Sequence, residues 1–362
     1  MGNKNYCIIM AGGIGSRFWP VSRTQRPKQF LDILGTGQSL IQQAFERIRK
    51  VIPVENIFIV TNVLYKSLVT NQIPEIKPSQ ILLEPDRRNT APCVAYAIFE
   101  IQRICSDAII LVTPADHLIL KEENFRNVII KALAFADAND SLLTIGLKPL
   151  RPETGYGYIQ VHETKADDVK SARIKKVKAF TEKPDIALAR VFIDSGDFYW
   201  NSGIFVWSLE TIMKAFEIHL PDIYVAFKKI YTHSKPSQQQ IDAVYKDCQN
   251  ISLDYGILEK AGNVHVLPSD FGWSDLGNWS AVYELSEKDT KGNAFIRGEV
   301  MTYNTKNCLI HLPNNKLLII NGLDGYIIVD SEDALLICKM QDEQKIKDYV
   351  NDITLKKGGK YL

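Results

Sequence analysis

An apolar run at residues 6–10 passes directly into Ala11-Gly-Gly-Ile-Gly-Ser-Arg17, then into Phe18-Trp19-Pro20 and Pro27-Lys28-Gln29-Phe30. The run reads as a first buried strand, so any fold the chain adopts must put a glycine-rich loop at that strand's end. Gly12, Gly13 and Gly15 leave the backbone N–H groups of the loop free to close around an oxyanion. Arg17 and Lys28 bring fixed positive charge to the same place. The stretch therefore reads as a phosphate cradle; for the glycines alone, a tight turn without a ligand is the alternative. It departs from both familiar templates. The P-loop requires Gly-Lys-Ser/Thr, and the dinucleotide fingerprint requires a third glycine where this chain has Phe18.

After the cradle, periodicity predicts a helix over 41–52, strands at 57–61 and 81–84, and a helix over 91–105. A continuous apolar strand at 108–113 leads to Pro114-Ala-Asp116-His117, followed by a helix over 122–138 and a strand at 141–147. Strand and helix alternate, which predicts an α/β fold with a doubly wound, mostly parallel, Rossmann-like sheet whose ligands bind beyond the carboxyl ends of the strands. The loops at the cradle and at Asp116 both follow strands, so both fall on that edge. From residue 154 the texture changes, with strands expected at 155–159 and 177–181 and, further on, the stretch Ser252-Leu-Asp-Tyr-Gly256. Residues 284–290 end the large domain, giving an expected division into 1–287 and 288–362. Short β-rich runs at 298–303, 308–312, 317–321, 326–330 and 334–339 then predict a small β domain closed by a helix over 342–353. Their spacing lacks the strict hexapeptide repeat of a β-helix.

The length of 362 residues fits one large domain with a smaller one. Basic and acidic residues number 43 and 42, and the net of +1 argues against a nucleic-acid or membrane-surface protein. Any anionic substrate must then be met by local positive charge. Six scattered cysteines form no Cys-x-x-Cys pair and read as buried apolar residues of a reduced compartment. With no apolar stretch long enough to span a bilayer, the expected location is the cytoplasm.

The string AGGIGSRFWPVSRTQRPKQF, residues 11–30, resembles the sugar-1-phosphate nucleotidyltransferases, and among them the mannose-1-phosphate guanylyltransferases. Glu84-Pro-Asp-Arg-Arg-Asn-Thr-Ala-Pro92 resembles the base-binding segment of that family. Thr181-Glu-Lys-Pro184 lies between Gly155-Tyr-Gly-Tyr158 and Asn201-Ser-Gly-Ile-Phe205 in the family's order. The resemblance covers nearly the whole chain. It implies transfer of GMP from GTP to mannose 1-phosphate, with GDP-mannose and pyrophosphate as products and magnesium as cofactor. It also implies residue roles. Ala11, Gly12, Gly13, Gly15 and Ser16 hold the nucleotide with Arg17 and Lys28, while Arg88, Asn89 and Thr90 line it. Either Glu84 or a backbone carbonyl accepts from guanine. Lys183 neutralises the sugar 1-phosphate, Glu182 takes a sugar hydroxyl, and Gly157 and Asn201 complete the hexose contacts. Asp116 and Asp275 are the metal ligands; a strand-end turn residue and a helix N-cap are the alternatives for these two acids.

The chemistry asked of such residues is charge neutralisation. A nucleoside triphosphate at roughly −4 meets a phosphate monoester at roughly −2, and each unit pair 4 Å apart repels by about 4 kcal/mol at an effective dielectric near 20. The attacking oxygen is already ionised at neutral pH, and no nucleophile-plus-base arrangement is visible. In-line displacement without a covalent enzyme intermediate is therefore expected. Two other readings stay open at this stage: a non-catalytic sugar-nucleotide-binding regulatory subunit on the same fold, and a nucleotidyltransferase for another hexose 1-phosphate. A homodimer through the β domain is the assembly the sequence allows.

Overall fold

The computed structural model describes residues 4–162, 174–232, 234–313 and 315–362. These residues pack as two compact units. The first takes the described parts of 1–12, 44–115 and 119–273, and the second those of 13–43, 116–118 and 274–362.

The strands in chain order begin with β1 (Asn5–Ala11), β2 (Ile57–Asn62), β3 (Ile81–Glu84), β4 (Ile109–Pro114) and the short β5 (Leu118–Ile119). They continue with β6 (Leu142–Leu147), β7 (Gly157–Val161), β8 (Lys175–Glu182), β9 (Phe198–Ser208), β10 (Val264–Ser269) and the short β11 (Trp273–Ser274). The first unit is built on a nine-stranded sheet in the order β3-β2-β1-β4-β9-β6-β10-β8-β7. Cys7, Ile8 and Ile9 are fully buried, as expected of a parallel strand covered on both faces. Cys7 stands opposite Ile57 on one side and Leu111 on the other, both in parallel register. Gly12 and Ala115 consequently leave the sheet from neighbouring strands that point the same way, and the Ala115 N–H donates to the Met10 carbonyl at 2.9 Å.

The α/β expectation holds, but the mostly parallel sheet is corrected to a mixed one. β9 runs antiparallel to both β4 and β6, β10 returns parallel to β6, and β8 and β7 add antiparallel pairs. Apolar periodicity reports which residues are covered and carries no information on strand direction, so the reversal at β9 had no local signal.

Helices begin and end where the local chemistry demands. Asp185 caps the helix Ile186–Ser195 and Gly196 closes it at φ +77°, a left-handed position that glycine adopts without a Cβ penalty. Ser237 and Gln240 form a reciprocal cap on the helix Gln238–Asp247. Among the described residues no helix is long and apolar enough to cross a membrane, and all six cysteines are free thiols.

The second unit has its own core. Phe18, Trp19, Leu276 and Trp279 pack with Ala294, Leu309, Ile327, Leu336 and Ile346, and the Phe18 and Trp279 rings meet edge to face with centroids 4.9 Å apart. The strands here are β12 (Ala294–Phe295), β13 (Glu299–Tyr303), β14 (Leu309–His311), β15 (Leu317–Asn321), β16 (Tyr326–Asp330) and β17 (Leu335–Lys339). Glu299 pairs with Leu317 and Leu309 with Ile327, parallel in both cases and 18 residues apart, while Ala294 pairs with Leu309, parallel and 15 apart; no hexapeptide repeat marks these steps. The helix Ile346–Lys357 follows, and the Trp19 indole N–H donates to the Tyr361 carbonyl at 2.9 Å. Residues 13–43 therefore share a core with the C-terminal strands, although the expected boundary at 287/288 separates them in sequence.

Candidate functional site

The glycine loop is shaped for one purpose at Gly15, which sits at φ +64°, where a Cβ would collide with the Lys28 Cβ and lie 3.2 Å from the Ser22 hydroxyl. Ser22 Oγ in turn donates to the Ile14 carbonyl at 2.8 Å. Only glycine lets Lys28 press against the loop in this way. A single helical turn, Ser16–Phe18, then carries Arg17 inward while Phe18 anchors in the core. Lys28 is 4% exposed, and its ammonium donates to Asp116 Oδ2 at 3.0 Å and to the Asp275 carbonyl at 2.5 Å. Burial works against ionisation of Asp116, but the Lys28 ammonium and His117 outweigh it and hold the carboxyl below its ordinary range. Asp275 accepts from the Gly277 N–H at 3.0 Å. Arg17 reaches the Gly277 carbonyl at 3.5 Å, and its Nε is buried without a partner among the described residues.

These groups line one cavity of about 320 Å³, at the small end of ligand sites, together with Ser16, His117 and Lys347. A buried guanidinium N–H with no acceptor, beside a second cation, is an arrangement that a phosphate oxygen would complete. Asp116 and Asp275 supply two hard carboxylates to the same space. That donor set fits magnesium, which takes oxygen ligands and keeps several waters.

The first unit holds two further groups of expected site residues. Glu84 ends β3, is 6% exposed and accepts from the Tyr245 hydroxyl at 3.0 Å; burial pushes its carboxyl up to about 7, against the pull of Tyr245 and Arg87. The Glu84 carboxylate lies beside Gly12, whose Cβ, if present, would be 3.4 Å from Oε2. Ala11 is buried and its carbonyl accepts from Thr61. Arg88 is spent on the carbonyls of Tyr245 and Lys246 at 3.0 and 3.2 Å, at the end of the helix Gln238–Asp247. Asn89 caps the helix Thr90–Ile104, and Thr90 Oγ1 accepts from the Leu253 N–H at 2.8 Å.

A carboxyl whose folded pKa is raised binds its proton more tightly in the folded state, so its penalty is absent below about pH 4.5 and grows as pH rises to about 7. Glu84→Gln should therefore be more stable than the parent at pH 8, by up to about 3 kcal/mol, with the difference vanishing near pH 4. Denaturant unfolding at the two pH values checks this; equal stabilities at pH 8 would show that Glu84 is not strained by burial.

The other group gathers at the ends of β7, β8 and β9. Gly157 pairs with Glu182 in register, and a Cβ on Gly157 would collide with the Glu182 carboxylate and touch Asn201 at 3.5 Å. Glu182 pairs with Lys183 at 2.7 Å, and Lys183 is 63% exposed. Lys183 also stands at φ +49°, a left-handed conformation that costs a lysine about 1–3 kcal/mol and is characteristic of ligand clamps. Asn201 is committed: it donates to Asp254 Oδ1 at 2.7 Å and accepts from Thr144 Oγ1 and the Gly203 N–H, each at 3.2 Å. Burial, then the neighbouring Glu182 charge, raises Asp254 to about 6 despite the Asn201 hydrogen bond.

Asp254 and Lys347 carry no motif that marks them as site residues in the sequence. The first had a faint signal, an acid inside an apolar and aromatic stretch that here forms a wide π-helical turn, Asp254–Leu258. The second had none, because a lysine on an exposed helix looks like any other.

The family model for nucleotidyl transferases matches residues 6–292. The chain is 37% identical over 355 residues to a mannose-1-phosphate guanylyltransferase of Salmonella montevideo, covering 96% of this chain and 74% of that one. It is 33% identical over 356 residues to the Escherichia coli protein of the same name, covering 96% and 75%. A crystal structure from Thermus thermophilus, described as a mannose-1-phosphate geranyltransferase, matches with a TM-score of 0.87 at 29% identity, covering 97% and 99%.

Proposed function

Because the chain belongs to the nucleotidyl transferase family, we propose that it transfers GMP from GTP to mannose 1-phosphate, giving GDP-mannose and pyrophosphate. The observation that carries this reading is the cavity where Arg17, Lys28, Asp116 and Asp275 meet. The reading assigns Arg17 and Lys28 to the phosphates that leave as pyrophosphate, and Lys183 to the sugar phosphate. Glu182, and Asp254 positioned by Asn201, take sugar hydroxyls, while Glu84 selects the base. Asp116 and Asp275 would hold magnesium, which when bound supplies charge neutralisation on the phosphate oxygens. What the protein residues do is electrostatic: they offset the like-charge repulsion between the triphosphate and the sugar phosphate. On this reading the sheet of the first unit is a doubly wound Rossmann-like sheet of the nucleotide-diphospho-sugar transferase type, and the protein is cytoplasmic. On the same reading it forms a homodimer through the exposed apolar residues Met301, Tyr303, Leu317 and Ile319 of β13 and β15; a sedimentation experiment that finds monomer alone at tens of micromolar removes the dimer.

Pyrophosphate release measured across four nucleoside triphosphates and several sugar 1-phosphates tests the function. Preference for another base or hexose, or no release with any pair, overturns it. Within that assay Lys183→Ala should raise the KM for the sugar phosphate by about tenfold to a hundredfold, with little change in GTP binding. Arg17→Ala should do the reverse, its loss falling on GTP and on the pyrophosphate-driven back reaction. If both variants lose both substrates equally, the division of roles is wrong.

A further inference from the structure

The C-terminal helix Ile346–Lys357 brings a third cation to the cradle. We propose that Lys347 contacts the terminal phosphate oxygens of the triphosphate, and of the pyrophosphate formed from it; this rests on the nucleotidyl-transfer reading.

Lys347 lines the same cavity as Ser16, Arg17, Lys28, Asp116 and Asp275. The charge of Lys28, assigned to the same phosphates, is partly offset there, since its buried ammonium lies 3.0 Å from the Asp116 carboxylate. Set against a triphosphate of roughly four negative charges, the pair Lys28 and Asp116 contributes little net charge, which leaves Arg17 and Lys347 as the uncommitted positive groups. The other paired cations near this helix are satisfied locally: Lys345 lies 2.9 Å from Asp342, and Lys356 3.2 Å from Asp352. Among the described residues Lys347 has no hydrogen bond or ion pair. Its position is nevertheless fixed. Ile346, next to it, is 1% exposed in the core; Glu343 Oε2 accepts from the Ser280 N–H at 2.9 Å; and the chain end is tied by Trp19 to the Tyr361 carbonyl. A helix anchored on both sides of this residue fixes where the lysine backbone stands beside the cavity, and the flexible four-carbon stem carries the ammonium from there.

The test uses the full chain carrying Lys347→Ala, Lys347→Arg or Lys347→Glu. Lys347→Ala should raise the KM for pyrophosphate in the back reaction about tenfold, leave the KM for the sugar phosphate within about twofold, and leave the melting temperature unchanged. Lys347→Arg should restore most of the loss and Lys347→Glu should deepen it. The salt dependence of the pyrophosphate KM should be shallower in Lys347→Ala than in the parent. Calorimetric titration of parent and Lys347→Ala with magnesium pyrophosphate gives a readout independent of turnover. Equal affinities there, or equal losses for both substrates, overturn the proposal. If the parent turns over no substrate pair, the nucleotidyl-transfer reading fails while the calorimetric comparison still decides the role of Lys347.

Discussion

Asp116→Asn and Asp275→Asn are each expected to lower turnover by about a hundredfold to a thousandfold, and the double variant by scarcely more. Both carboxylates line one cavity, and if they share one ion, removal of either disables what the other serves, so the losses cannot add. Asp116→Asn carries a second cost, because Lys28, 4% exposed, loses the carboxylate that its ammonium meets at 3.0 Å. The pair is part-exposed at Asp116, which limits that loss to about 1–2 kcal/mol, within what a folded protein tolerates. Melting temperatures should therefore fall a few degrees for Asp116→Asn and less for Asp275→Asn. Magnesium titrations of turnover and of nucleotide binding, run on both variants, check the assignment. Normal turnover in both variants at limiting magnesium would dismiss the two-carboxylate site.

Ending the chain near Lys288 should abolish the fold of the second unit. The truncation removes Ala294, Leu309, Ile327, Val329, Leu336 and Ile346, all buried against Phe18, Trp19 and Trp279. Each fully buried aliphatic of the larger kind contributes about 1.5–3 kcal/mol, and a whole domain is stable by only about 5–15 kcal/mol. The shortened chain is expected to be insoluble or to expose Trp19 and Trp279, read as a red shift in tryptophan emission and a lost cooperative transition. Activity would vanish as a consequence, since the cradle from Gly15 to Phe18 belongs to the same unit. A soluble, cooperatively folded truncation would instead support 1–287 as an independent domain.

Local structure was legible from the residues. The helix expected over 122–138 is the helix Glu122–Ala138, and the strand expected at 317–321 is Leu317–Asn321, because apolar period and turn chemistry act over a few residues. The glycines of the cradle announced a loop, and Arg17 and Lys28 announced its charge. Direction and partnership were not legible. Nothing near residue 198 says that β9 will run against both neighbours, and nothing around Arg88 says that its guanidinium will close the carbonyls of a helix end at Tyr245 and Lys246. From the sequence alone came many of the elements, though not the helix Lys66–Gln72 or the short β5 and β11, together with the family and the inventory of charged groups, since each depends on residues close together in the chain. Only tertiary packing decided that Lys28 would meet Asp116 and the backbone of Asp275 across separations of 88 and 247 residues, that Asn201 would hold Asp254, and that Lys347 would reach the cradle. Such contacts are selected by the burial of distant apolar surface, and that burial leaves no local periodicity to read.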